Sequence, residues 1–246
     1  MSGWLEGRVI ENRQWTGTLF SLRVEAPRLR FEAGQFVRIA LDIAGERVAR
    51  PFSFVNPPQD PVLEFYGVVV PEGPLSPRLA ALAAGDRLYV ADNPSGFLVL
   101  SEVPQADDLW LLATGTGIAP FLSILRTETP WQRYRRVILV HAARYAKELV
   151  YGDLIKEIFR GHPDKFVSIK FVSREKTPQT LEGRMPAAIR DGRLERSAAP
   201  IAAGRSQFML CGNPQMLKDV TAALAERGLR KHRRRAPGQI TVESFW

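Results

Sequence analysis

One cysteine, Cys211, stands alone among 246 residues, so the chain can form no internal disulfide and no thiolate cluster for zinc or an iron–sulfur centre. Three histidines, His141, His162 and His232, are too scattered along the chain to suggest a metal site, and none is expected. No apolar run reaches the roughly 20 residues needed to cross a bilayer. Residues 1–6 lack the basic-then-apolar order of a signal peptide, which points to the cytosol. There is no internal repeat. What remains is an ordinary globular composition, 45% hydrophobic and 24% charged, on a chain long enough for two domains with separate cores.

The net charge of +8 is concentrated in one place: residues 227–235 hold six Lys/Arg and no acid, leaving only +2 for the rest of the chain. A local patch of this kind recruits an acidic partner, whether nucleic acid, anionic lipid or protein, or else it is a solvated helix end. It lacks interleaved aromatics for base stacking, with none between Phe208 and Phe245, so an acidic protein accounts for it more economically than nucleic acid.

Periodicity divides the chain. In the first part short runs alternate with period two, at 5–14, 18–25, 35–42, 47–55, 63–70 and 87–91, separated by turn signals such as Ala44-Gly45-Glu46. These predict a small antiparallel β-barrel. One helix interrupts it, with Ser76 as the expected N-cap, Pro77 in the first turn and Leu79, Ala80, Leu82 and Ala83 as the apolar face. Past the polar stretch 101–108 the rhythm changes. Apolar strands at 109–113, 137–142, 166–172 and 208–211 alternate with helices expected from Ile118, Lys147, Met185 and Gln215. That order predicts an α/β domain, a parallel sheet with helices on both faces. The expected domains are 1–101 and 102–246.

The first strand of the second part breaks into Thr114-Gly115-Thr116-Gly117-Ile118-Ala119-Pro120, a strand–glycine turn–helix that can present backbone amides to a phosphate. The usual dinucleotide fingerprint has a third glycine, here Pro120, and an acid at the end of the next strand, here His141-Ala142-Ala143-Arg144. An Arg at that place favours a 2′-phosphate, hence NADP rather than NAD. Ser173-Arg174 ends the third strand in the same way and Arg184 follows a loop glycine, so guanidinium groups converge on one rim, unless each is an ordinary surface ion pair. Cys211-Gly212-Asn213-Pro214 closes the fourth strand, with Asn213 as helix cap. In the first part Arg50-Pro51-Phe52-Ser53 offers a phosphate clamp, a stacking ring and a polar group within four residues. The terminal Phe245-Trp246 pair suggests docking onto something flat.

Together these motifs resemble the ferredoxin–NADP(+) reductase superfamily, in particular its bacterial ferredoxin/flavodoxin–NADP(+) reductases, from Gly7 to the terminal Trp246. The resemblance implies an enzyme with FAD in the barrel and NADP(H) in the α/β domain. Arg50, Pro51, Phe52 and Ser53 would hold FAD, with Phe52 stacked on the isoalloxazine where relatives often carry Tyr and Ser53 near flavin N5. Tyr66 and Val68 would line the flavin, Pro74, Leu75 and Ser76 would bind its pyrophosphate, and Thr116 would face it from the second domain. Trp246 and Phe245 would stack on FAD and occupy part of the nicotinamide's place. Gly115, Gly117, Ala143, Arg144, Ser173, Arg174, Arg184, Cys211, Gly212 and Asn213 would receive NADP. Ser53, Cys211 and Glu243 would be the catalytic positions, Glu243 through proton supply. NADPH would pass a hydride to flavin N5, and electrons would leave singly to an acidic ferredoxin or flavodoxin. The expected state is a monomer, with no nucleic-acid or membrane partner.

Two other readings share these motifs. One is the reductase component of an oxygenase system, which commonly carries a fused four-cysteine ferredoxin domain. The other is a flavin-bound redox sensor without reductase activity.

Overall fold

A computed structural model describes residues 3–244. The chain divides into two compact units. One comprises the residues through Val99 together with Ala119–Arg126, the other Leu100–Ile118 together with Thr127 onward.

The first unit is an antiparallel sheet of six strands: β1 (Trp4–Gln14), β2 (Leu19–Glu25), β3 (Phe36–Ile43), β4 (Glu46–Ser53), β5 (Leu63–Val68) and, after the short helix α1 (Ser76–Ala80), β6 (Arg87–Ala91). Their order is β4-β3-β6-β1-β2-β5. The sheet curls until its edges meet, where Phe54 bridges Phe65 and the Val55 N–H donates to Glu64 O at 2.8 Å. Closure turns the inward members of the alternation into one core, with Phe20, Leu22, Ile39, Phe54, Phe65, Leu88 and Val90 all buried. The β3–β4 hairpin is a two-residue loop in which Ala44 and Gly45 both have positive φ, 51° and 84°, as the twist of paired strands favours.

Ser76 is not the N-cap of α1. Leu75 holds that position without a side-chain cap bond, and Ser76 is the first helical residue, its hydroxyl accepting from the Val70 N–H at 2.9 Å. A five-residue helix cannot satisfy its own C-terminal carbonyls. Asn12 of β1 does so, its Nδ2 donating to Leu79 O, Ala80 O and Leu82 O.

In the second unit β7 (Asp108–Thr114) leads into a tight 3-10 turn, Gly115–Ile118. The helix that follows, α2 (Ala119–Leu125), starts one residue later than expected and belongs to the first unit, not to the second as a contiguous division would have it. The reason is local bonding. The Ser123 hydroxyl donates to Asn56 O at 2.7 Å, and Arg126 reaches Val55 O, Asp60 and Glu64.

The second unit continues with α3 (Thr129–Arg133), β8 (Arg136–Ala143), α4 (Gly152–Gly161), β9 (Phe166–Val172), β10 (Leu181–Glu182), α5 (Met185–Arg190), α6 (Arg193–Arg196), β11 (Ser206–Gly212), α7 (Pro214–Ala225) and β12 (Ile240–Ser244). The segment expected to be helical from Lys147 is a 3-10 turn, Ala146–Glu148, and α4 begins at Gly152. The sheet is parallel throughout, in the order β10-β9-β8-β7-β11-β12, with α3 beside β8, α4 beside β9, and α5, α6 and α7 packed on Trp110, Leu112, Ile138, Val140, Phe208 and Leu210. At its lower end Asp108, fully buried, sits between Arg136 (3.2 Å) and Arg205 (3.0 Å), fixing the starts of β7, β8 and β11 together. Among the described residues no helix is long and apolar enough to cross a membrane.

Candidate functional site

Successive strands run outward in both directions from β7, so the order reverses between β7 and β11. A parallel sheet opens a crevice at the carboxyl ends of its strands at such a switch point. The two turns flanking it are Gly115–Ile118 after β7 and Gly212-Asn213 after β11. They touch: a Cβ on Gly117 would lie 2.5 Å from Cys211 O and 2.8 Å from the Gly212 Cα, so only glycine allows the approach. Gly212 itself takes φ +131°, and Thr114 Oγ1 lies where its side chain would be. That hydroxyl oxygen accepts the Asn213 N–H at 2.9 Å, while the Asn213 side chain caps α7 by accepting from the Gln215 and Met216 N–H groups.

His141, at the end of β8, holds the glycine turn from the other side. Its Nε2 lies 3.0 Å from Gly115 O. A carbonyl only accepts, so Nε2 carries the proton. Burial pushes the ring's pKa down to about 4, helped by the charge of Lys170 and opposed by the bond to Gly115, so the ring is neutral near pH 7. With Gly115 O committed to His141, the N–H of the same trans peptide, that of Thr116, is directed away from the ring.

Ala113, Cys211 and Glu243 form a row across β7, β11 and β12. Cys211 is buried, and desolvation together with the Glu243 charge raises its thiol well above the ordinary range. It is a neutral thiol and no nucleophile. Glu243 lies in β12, a strand added to the sheet edge beside β11.

Arg144 and Arg174 follow the adjacent strands β8 and β9. Pairing continues past the strand ends: Ser173 N–H donates to Ala143 O (3.2 Å) and Arg174 N–H to Arg144 O (3.0 Å). Arg184 is the N-cap residue of α5. All three side chains are exposed, and among the described residues none of them forms an ion pair, which removes the surface-pair alternative.

In the first unit β4 passes from exposed to buried across its final residues. Arg50 and Pro51 are exposed, the Phe52 ring is half-buried, and Ser53 is 2% exposed with its hydroxyl lacking any hydrogen-bond partner among the described residues. A buried unsatisfied hydroxyl in a native fold calls for a ligand or water. Gly67 on β5 is what lets Phe52 lie there, since a Cβ would fall 3.1 Å from Phe52 Cε1 and 2.7 Å from Phe20 Cζ. Tyr66 is buried and Val68 half-buried on the same strand. Pro74 is exposed and Leu75 buried, and the Arg78 guanidinium donates to Pro74 O at 2.7 Å.

The family description "Oxidoreductase NAD-binding domain" matches residues 111–222. A flavodoxin/ferredoxin–NADP reductase of Escherichia coli (strain K12) is 48% identical over 248 residues, covering all of both chains. The chain belongs to the flavodoxin/ferredoxin–NADP reductase family. A ferredoxin–NADP reductase of Pseudomonas aeruginosa is 37% identical, over 99% of this chain and 98% of that protein. A crystal structure of a ferredoxin NADP+ reductase from Neisseria gonorrhoeae with bound FAD and NADP superposes with TM-score 0.94 at 31% identity, over 99% of each chain.

Within that family frame the structure brings Gly115, Gly117, Cys211, Gly212 and Asn213 together, and places Ala143, Arg144, Ser173 and Arg174 side by side. Phe245 and Trp246 lie outside the described residues. Gly67, Thr114 and His141 escaped the sequence reading. Only Gly67 carried a signal, a glycine inside a strand-like run. The other two act through contacts made by different strands.

Proposed function

We propose that this protein is an FAD-dependent reductase that passes electrons between NADPH and a one-electron carrier, ferredoxin or flavodoxin. The observation that carries the proposal is the carboxyl-end rim of the parallel sheet: two glycine turns packed at the switch point, with two exposed arginines on neighbouring strand ends that form no ion pair among the described residues. Bound FAD supplies the chemistry, accepting a hydride and releasing electrons one at a time.

The residues present fit both groups. Ser53 offers a buried hydroxyl in want of a partner, Phe52 a half-buried ring held by Gly67, and Arg50 an exposed guanidinium for phosphate. Tyr66 and Val68 would line the flavin, and Pro74, Leu75 and Ser76 its pyrophosphate. Phe245 and Trp246 would add stacking surfaces. In the second unit the glycine turns, packed against each other and open at Gly115, would receive the dinucleotide, and Arg144, Arg174 and Arg184 would hold the 2′-phosphate. Cys211 contributes bulk rather than reactivity, and Glu243 would hold the proton that accompanies reduction.

The basic segment supports an acidic carrier as partner; a cytosolic location and a monomeric state belong to the same proposal. Of its six cations, Arg227 is tied to Glu195, Arg234 to Glu102, and Arg230 donates to Pro237 O at 3.2 Å, leaving Lys231, Arg233 and Arg235, which have no side-chain bond among the described residues, to face a partner. Their field would raise the association rate and make it salt-dependent. The single cysteine favours this reading over a fused oxygenase reductase, whose ferredoxin domain needs four.

The deciding experiment is the absorption spectrum of the purified protein, titrated anaerobically with NADPH and then with NADH, followed by cytochrome c reduction with and without added ferredoxin at two salt concentrations. A yellow protein bleached preferentially by NADPH, with carrier-dependent and salt-sensitive turnover, is the expected result. A colourless protein that binds no FAD, or a flavoprotein that NADPH does not reduce, would refute the proposal.

A further inference from the structure

Residues 144–146, just past β8, are three consecutive amides, and carboxylates satisfy all of them. Glu148 Oε2 accepts from Arg144 N–H (2.9 Å) and Tyr145 N–H (3.2 Å), closing its own turn. Ala146 N–H donates instead to Glu175 Oε1, which comes from the loop after β9. Glu175 directly follows Arg174, so this bond crosses between the two loops that carry Arg144 and Arg174. Among the described residues the other side-chain bond that crosses there is the longer one from the Ser173 hydroxyl to Ala143 O, 3.4 Å.

Two exposed guanidinium groups on separate loops repel each other and carry high side-chain entropy, so presenting both to one anion is costly. A carboxylate–amide bond is charge-assisted, and Glu175 fastens one loop to the backbone of the other. We infer that Glu175 is a positioning residue that raises selectivity for NADPH over NADH: the backbone bond from Arg174 N–H to Arg144 O sets the register at that rung, and Glu175 holds the Arg144 loop to the Arg174 loop two residues beyond it. The inference rests on the reading that these arginines receive the 2′-phosphate. NADH has no such group and gains nothing from the register.

Charge alone predicts the opposite sign. A carboxylate near a phosphate repels it, so removing Glu175 would tighten NADPH if Coulomb interaction were its whole effect. Positioning predicts weaker NADPH binding. Glu175 is exposed, so its replacement leaves the core intact.

The test is kcat/KM for NADPH and for NADH, with ferricyanide as acceptor, in the wild type, E175A, E175Q and R174A. Losing a charge-assisted bond worth about 1.5 kcal/mol lowers the NADPH/NADH ratio about tenfold in E175A, through KM for NADPH with kcat held within about twofold. E175Q keeps an acceptor oxygen and loses less than E175A. If R174A lowers the ratio but E175A leaves it unchanged or raises it, the role given to Glu175 is wrong while the arginine reading stands. If R174A leaves the ratio unchanged, the arginine reading fails and the inference falls with it.

Discussion

The end of β4 in the first unit and the carboxyl-end rim of the second are both candidate cofactor surfaces, yet they are built in opposite ways. At the end of β4 the polar group is left wanting: the Ser53 hydroxyl is buried with no partner among the described residues. Along the rim the polar groups are already occupied by one another, Gly115 O by His141, Asn213 N–H by Thr114, Ala146 N–H by Glu175. The difference follows from topology. A single strand in a curled antiparallel sheet presents its residues alternately, and the groups beside it are apolar core. In a parallel sheet every strand ends at the same edge, so turns distant in sequence become neighbours and bond to each other. On the proposed reading, one surface would be completed by its ligand and the other is preorganised before a ligand arrives.

The largest effect is expected where the two surfaces are tightest. Gly117→Ala sets a Cβ against backbone atoms that cannot step aside, and should lower kcat/KM for NADPH about 100-fold, the scale of an ångström-sized misplacement, while flavin content holds. Gly67→Ala meets only the rings of Phe20 and Phe52, so about tenfold weaker FAD binding with unchanged affinity for NADP+ is expected. Flavin content and NADP+ titration separate the two, and if each variant disturbed both ligands equally the contrast would be lost.

A smaller effect concerns acid. The His141 ring has an ordinary value of 6.5 and a folded value of about 4, so as pH falls the unfolded chain takes up the proton first. The stability that neutrality contributes is complete above pH 6.5 and is lost through the window down to about 4, roughly 3 kcal/mol in all. Urea midpoints between pH 7.5 and 4.5 should show this decline in the second unit and a flatter profile in His141→Gln, which keeps a donor for Gly115 O. Parallel profiles would mean that the buried histidine does not titrate there.

The smallest effects go to the heart of the contrast. In flavin-free protein Ser53→Ala should stay within about 0.5 kcal/mol of wild type, since it breaks no bond, while Thr114→Val should cost about 1 kcal/mol. Only on adding FAD should Ser53→Ala show its loss. A destabilised flavin-free Ser53→Ala would reveal a partner for the hydroxyl and erase the distinction.

Much of this was legible in the chain. Period-two runs marked the antiparallel strands, apolar strands alternating with helices marked the parallel sheet, and Gly115, Gly117 and Asn213 announced their turns because backbone conformation and capping are local matters. Arg144 and Arg174 were legible for the same reason, each standing at a strand end. Ser76 was misassigned as a cap because serine bonds equally well to other backbone groups, here Val70 N–H. β12 was invisible because five residues near a terminus become a strand only when β11 offers them a ladder.

By itself, then, the sequence determined the two kinds of sheet, the glycine turns and the arginine-bearing strand ends, since these depend on neighbours a few residues apart. Only the tertiary structure decided that α2 leaves the second unit for the first, that His141 is a neutral donor to Gly115, and that Glu175 joins two loops 29 residues apart. The physical reason is common to all three. Each depends on a group being buried or bonded by another that is remote along the chain, and no local pattern encodes which remote group that will be.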